Sequence, residues 1–166
     1  MGPILPPSAP KISRQFALTP TGGFSTWQQN ALMMDNKFFG GWFQARGFIN
    51  LIAGMCMVES SGGLNLSRKV SSKDTSYGVM QVTPYTAQDI YGRGYDQFPP
   101  TETVLMTPVG GMYYGMAYVK ILYENYKKTT SQEIARSYNG GPYYRQNDGA
   151  VSMTLAHWNK IRQYIG

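Results

Sequence analysis

The stretch Met55–Gln81 reads MCMVESSGGLNLSRKVSSKDTSYGVMQ, and its reading decides the fold. Leading into it, Phe48, Leu51, Ile52 and Met55 recur at helical spacing and make one apolar stripe. Glu59 stands eleven residues after Phe48, a rotation of about 1100° and so roughly 20° off that stripe. The carboxylate therefore belongs to the buried face, at its end, because Gly62 and Gly63 stop the helix. A carboxylate in such a place loses hydration and faces the negative end of the helix macrodipole. Both effects favour the protonated form of such a group, which makes Glu59 a candidate general acid. The plain alternative is a surface residue in a frayed last turn.

Three short motifs follow one another along the chain: Glu59-Ser60, then Gly78-Val79-Met80-Gln81, then Ser137-Tyr138-Asn139-Gly140-Gly141-Pro142. In this order, and at these separations, the chain resembles the soluble lytic transglycosylase family, related to goose-type lysozymes, whose pattern is E-S, G-[LV]-M-Q and [AS]-Y-N-x-G. Three ordered motifs are far more specific than any one of them. The resemblance covers roughly Phe48 to Tyr144 and, less closely, the C-terminal helix. It implies a mainly α, lysozyme-like fold of the α+β kind, a helical domain with a small irregular β segment and a substrate cleft.

The resemblance also implies an activity, cleavage of the β-1,4 bond between N-acetylmuramic acid and N-acetylglucosamine in peptidoglycan. One glutamate, Glu59, would protonate the leaving oxygen and then take a proton from the C6 hydroxyl of muramic acid as that hydroxyl attacks C1. The product would end in 1,6-anhydromuramic acid. Tyr138, the second catalytic residue, would point its hydroxyl at Glu59. Met80 and Gln81 would line the cleft beside the scissile bond, Asn139 would contact the sugar or fix its loop, and Ser60 would support the glutamate. Tyr77 and Tyr143 complete the substrate-binding set. Each has an ordinary reading beside the functional one: Met80 as core filler, Tyr138 as a core tyrosine, Asn139 as a turn residue, Ser60 as a helix-end residue. Tyr85, Tyr91 and Tyr144 are further aromatic candidates for the cleft, although aromatics at helical spacing are more often core.

Three departures from the family pattern stand out. Ser61-Gly62-Gly63-Leu64-Asn65-Leu66 replaces the usual Asn-Pro after Glu59-Ser60. The insert before Gly78 is polar and carries Lys73 and Asp74. The E-T-x-x-Y-V pattern near the C-terminus is missing, and Leu155-Ala156-His157-Trp158 stands nearby. Asp74 leaves open a water-activating role, and with it lysozyme-type hydrolysis of the same bond. Two more readings compete. Cys56 and His157 would be a cysteine peptidase pair, but no third orienting group is evident. A structural virion protein would keep the fold without catalysis.

A length of 166 residues fits one domain with an arm. The net charge of +6 and pI near 9.4 suit a polyanionic partner. No dense Lys/Arg run occurs, so composition alone does not favour nucleic acid, and none is expected; the resemblance implies peptidoglycan glycan strands as the partner. The single cysteine excludes an internal disulfide, and one His with one Cys makes no metal site, so no metal or cofactor is expected. The apolar run 38–58 contains Gln44, Arg46 and Asn50, which argues against a membrane span. Residues 1–26, rich in Pro and Gly, read as an arm that would dock onto phage tail or ejection proteins; residues 27–166 read as the enzymatic domain. With no signal peptide visible, the expected location is a virion or delivery to the periplasm by a phage or secretion assembly.

In chain order, the pattern predicts a short helix over Trp27–Lys37 and the Glu59 helix from about Phe43 to Ser60. A loop or small hairpin follows over Asn65–Ser76, and Tyr77–Val82 is extended or turn-like. Thr83-Pro84 opens a helix to about Tyr91, and 92–106 is a loop. Thr107-Pro108 opens a long central helix carrying Met112, Tyr113, Met116 and Val119. Thr130 with Glu133 makes a capping box for a helix ending near Tyr138. Val151, Leu155, Trp158, Ile161 and Ile165 form the stripe of the last helix.

Overall fold

A computed structural model describes residues 16–69 and 74–165 of the chain. The helices are α1 (Phe24–Phe38), α2 (Trp42–Ala45), α3 (Ile49–Ser60), α4 (Pro84–Gly92), α5 (Glu102–Leu105), α6 (Pro108–Tyr126), α7 (Ser131–Gly140) and α8 (Asp148–Ile165). Two short strands, β1 (Ser67–Lys69) and β2 (Thr75–Tyr77), pair antiparallel between α3 and α4, with Arg68 opposite Ser76. This is the mainly α, lysozyme-like architecture the motifs imply, with the small hairpin where the polar insert lies. Its tip, with Lys73, falls outside the described residues.

The central helix is α6. Met112, Tyr113, Tyr114, Met116, Ala117 and Val119 are buried in succession, so both faces of its middle are covered. Such a helix is the hub of a core and not a one-sided layer. Thr107 caps it by accepting from Gly110 N at 3.0 Å, and Thr83 caps α4 by accepting from Thr86 N at 3.2 Å. Both threonines stand before a proline at the first helical position, as the sequence predicts.

The structure differs from expectation in four places, each for a local reason. The Glu59 helix does not run unbroken from Phe43. Gly47 takes a left-handed φ of 74° and separates α2 from α3. Asp35, buried in α1, fixes this break by accepting from Phe43 N at 3.0 Å and Gln44 N at 2.8 Å. The expected loop over 92–106 contains the one-turn helix α5, capped by Thr101 at 3.3 Å from Val104 N. The capping box at α7 is only half made. Thr130 accepts from Glu133 N at 3.2 Å, but the Glu133 carboxylate turns to Arg145 and to Tyr144 Oη at 2.7 Å.

The fourth difference concerns the N-terminal arm. Its residues 1–15 lie outside the described residues, whereas residues 16–26 are built into the domain. Leu18 is in the core, Asn30 Nδ2 donates to Thr19 O at 2.9 Å, and Gly22 N donates to Gly62 O at 3.0 Å. The turn after Glu59 is thus clamped from behind. A Cβ on Gly62 would stand 2.1 Å from Gly22 O, and one on Gly63 would stand 2.3 Å from Pro20 O. Gly62 and Gly63 therefore do more than stop the helix, and Ser61, at φ 54°, makes the actual left-handed cap.

Candidate active site

A cleft of about 550 Å³ opens between the end of α3, the hairpin, the α4 start and the facing sides of α6, α7 and α8. Glu59 lies on its floor. Among the described residues that line this cleft, Glu59 is the sole carboxylate. Its side chain is only 4% exposed, as its place on the apolar stripe requires. Two groups of opposite charge type face it, which reasoning from burial and the helix end alone left out. His157 Nε2 lies 2.9 Å from Oε2, and Arg68 Nη2 lies 3.6 Å from Oε1. The two lie at ion-pair distance, and Nε2 makes no hydrogen bond here.

The Gly78–Gln81 motif is a tight loop pinned at both ends. Tyr77 N donates to Val82 O at 2.9 Å, Val82 N to Tyr77 O at 3.0 Å, and Gly78 N to Leu66 O at 2.7 Å. Gln81 holds a left-handed φ of 54°, uncommon for a residue with a side chain, and lines the cleft. Its amide is largely engaged already. Ser76 Oγ donates to Gln81 Oε1 at 2.5 Å, and Gln81 Nε2 donates to Gly78 O at 3.0 Å. One amide hydrogen is left for a ligand.

Tyr138 lines the cleft, but its hydroxyl does not point at Glu59 as expected. It donates to Met80 O at 2.7 Å. Burial first, and then the Glu59 charge, pushes the phenol far up, so it stays a neutral donor. Tyr138 thus bridges α7 to the strained loop, fixing the backbone beside Gln81. Tyr138→Phe is expected to leave the Met80 carbonyl short of its partner and to lower stability by ~1–3 kcal/mol. Urea unfolding of the variant checks this; an unchanged midpoint would contradict it.

The remaining expected site residues divide. Asn139 lines the cleft, although its Oδ1 is itself buried and without a hydrogen-bond partner. Ser60 is buried behind the site. Its Oγ donates to Cys56 O and accepts from Gly63 N, each at 3.0 Å, so it holds the helix end. Met80 does not line the cleft; its side chain is fully buried against Gly115, where a Cβ would come 2.4 Å from its sulfur. Tyr77 and Tyr143 also fall outside the cleft lining. The Tyr77 hydroxyl bonds to Glu102, which raises its pKa, and Tyr143 is exposed with its edge against Tyr126. Tyr144 is buried, with its hydroxyl on Glu133. Met80 and Gln81 are neighbours in one tight turn, so the turn that presents Gln81 to the cleft sends Met80 into the core.

Asp74 is exposed and not among the residues that line the cleft. Cys56 is fully buried, and burial, then the Glu59 charge, pushes its thiol up. A thiol held protonated is no nucleophile, and His157 contacts Glu59. The cysteine peptidase pairing fails on both counts. No helix among the described residues is long and apolar enough to cross a membrane.

Sequence reasoning gave no role to Arg68 and left that of His157 open. The stripe of α8 carries the signal that would have found the histidine. At about 100° per residue, Val151, Thr154, Trp158, Ile161 and Ile165 share one face, with His157 at one edge and Leu155 at the opposite edge. The structure agrees: Thr154 and Ile161 are buried, and Leu155 is 41% exposed. Leu155 had been placed on the buried stripe because apolar character was read without its rotation.

A family model described as "Transglycosylase SLT domain" matches residues 46–161, more than two thirds of the chain. No curated protein and no solved structure matches it.

Proposed function

We propose, because this chain belongs to the transglycosylase SLT family, that it cleaves the β-1,4 bond between N-acetylmuramic acid and N-acetylglucosamine in peptidoglycan and leaves a 1,6-anhydromuramic end. The observation that carries this reading is that, among the described residues lining the cleft, Glu59 is the single carboxylate. An inverting hydrolase needs a second carboxylate roughly 6.5–9.5 Å away to activate water, and a retaining one needs a carboxylate nucleophile about 5–5.5 Å away. Asp74, the sequence's other candidate, is not among the residues lining the cleft. The muramic C6 hydroxyl is then the available nucleophile, and its intramolecular position gives it an effective concentration far above that of water.

In the first half of this reaction Glu59 gives its proton to the glycosidic oxygen as the bond from C1 to that oxygen breaks. In the second half the C6 oxygen bonds to C1, and its proton returns to Glu59. No water enters, and Glu59 ends as it began. Arg68, on the exposed hairpin, offers positive charge to the substrate or to the Glu59 carboxylate. The remaining Gln81 amide hydrogen is assigned to a sugar substituent, and Asn139 to the cleft wall beside it. Peptidoglycan lies outside the cytoplasm, so that is where the activity is exerted.

The test is mass spectrometry of the soluble products released from purified sacculi. Expected are muropeptides one water lighter than reducing-end products and resistant to borohydride. Products that all carry reducing ends would contradict the reading.

A further inference from the structure

We propose that His157 is a positioning residue for Glu59, its imidazole holding one carboxylate oxygen so that the other carries the transferable proton. The inference rests on the role given to Glu59 above, but on geometry outside the three motifs. His157 Nε2 stands 2.9 Å from Glu59 Oε2, and the two side chains are 12% and 4% exposed. That nitrogen is buried and has no hydrogen-bond partner, and the Glu59 carboxylate is the acceptor beside it. Leaving a buried polar nitrogen unengaged is costly, so the contact with Glu59 is what the site offers it.

The helix that carries His157 is held firmly. Arg136 Nε donates to Thr154 Oγ1 at 3.2 Å and Nη2 to Val151 O at 2.9 Å, tying α8 to α7. Against α3, Gly54 lets α8 approach closely, since a Cβ there would already touch Tyr164 and Ile161 at 3.4 and 3.5 Å. A positioning group on a packed helix keeps its geometry better than one on a loop.

The other charged or titratable groups facing Glu59 have different parts. Arg68, from β1, is 60% exposed and lies 3.6 Å from Oε1, so substrate can displace it. Tyr138, from α7, and Cys56, on α3 itself, are both held protonated by burial and by the Glu59 charge. His157 is left as the buried neighbour that a packed helix brings to the carboxylate. With Oε2 occupied by the imidazole, Oε1 is the oxygen that gives and regains the proton. His157 takes part in neither proton transfer, so the proton balance closes on Glu59 and the substrate.

The test compares wild type, His157→Ala and His157→Gln in two measurements. In steady-state digestion of glycan strands, His157→Ala is expected to lower kcat by up to about 100-fold with KM little changed, and to change the pH profile. His157→Gln, whose amide can reach the same oxygen, recovers part of kcat. The second measurement needs no activity: ¹³C NMR titration of the Glu59 carboxyl carbon in wild type and His157→Ala. The midpoint is expected to move. An unmoved midpoint, or a His157→Ala kcat that matches wild type once the folded fraction is counted, would overturn the proposal. A moved midpoint in a protein that does not cut glycan would refute the transglycosylase reading and leave the positioning contact standing.

Discussion

Glu59→Gln is expected to remove nearly all lytic activity while the protein stays folded. General acid–base catalysis by a positioned side chain contributes about 10²–10⁴-fold, and in the proposed reaction one group serves both proton transfers, so the loss should lie at or above the upper part of that range. The amide matches the carboxylate in shape and fits the same buried position. It leaves Arg68, whose side chain is 60% exposed, free to extend into solvent. The check is turbidity clearing of purified sacculi alongside a thermal melt. Normal clearing by a well-folded Glu59→Gln protein would remove Glu59 from the mechanism.

Gly78→Ala is expected to have the largest effect on stability, more than about 3 kcal/mol. Gly78 holds φ 87°, a conformation that costs an L residue on its own. A Cβ there would also stand 2.0 Å from Leu105 O and 3.0 Å from Leu105 C, and backbone in a capped helix cannot give way as a side-chain tip can. Gly78 N also donates to Leu66 O, so any shift loosens the hairpin and the Gln81 loop together. Gly40→Ala is the control. Gly40 has φ 60° with nothing within 4 Å of a new Cβ, so only the backbone term, ~1–2 kcal/mol, applies. Urea midpoints of the two variants that fall together would show that the close approach to Leu105 does not matter.

Much of the fold was legible because helix starts and apolar stripes are local signals. Thr83-Pro84 and Thr107-Pro108 each begin a helix at the expected residue, and the stripe from Phe48 through Met55 is buried as its period requires. Gly47 was harder to read, since one glycine in an apolar run either continues or breaks a helix. The buried Asp35 carboxylate, reached only through the tertiary fold, decides for the break.

The site was legible where a motif fixes backbone, and less so where side chains choose partners. Gly78 and Gln81 are backbone requirements, which is why a spacing pattern finds them. The Tyr138 hydroxyl had two possible acceptors across the cleft, Glu59 and the Met80 carbonyl, and no sequence pattern distinguishes them. His157 and Arg68 come from α8 and β1, about a hundred and about ten residues from Glu59 in the chain. Only the packing of α8 on α3 and the register of the hairpin bring them to one carboxylate. The missing C-terminal pattern, with Leu155-Ala156-His157-Trp158 nearby, marked the place of the difference without giving its content.

The central claim is that one carboxylate serves the whole reaction and no water is consumed. The measurement that tests it most directly is digestion of purified sacculi in H₂¹⁸O, followed by mass spectrometry of the glycan ends formed by the enzyme. The account predicts anhydro ends that contain no ¹⁸O. One ¹⁸O atom at C1 for each bond cleaved would contradict it, because water would then be the nucleophile.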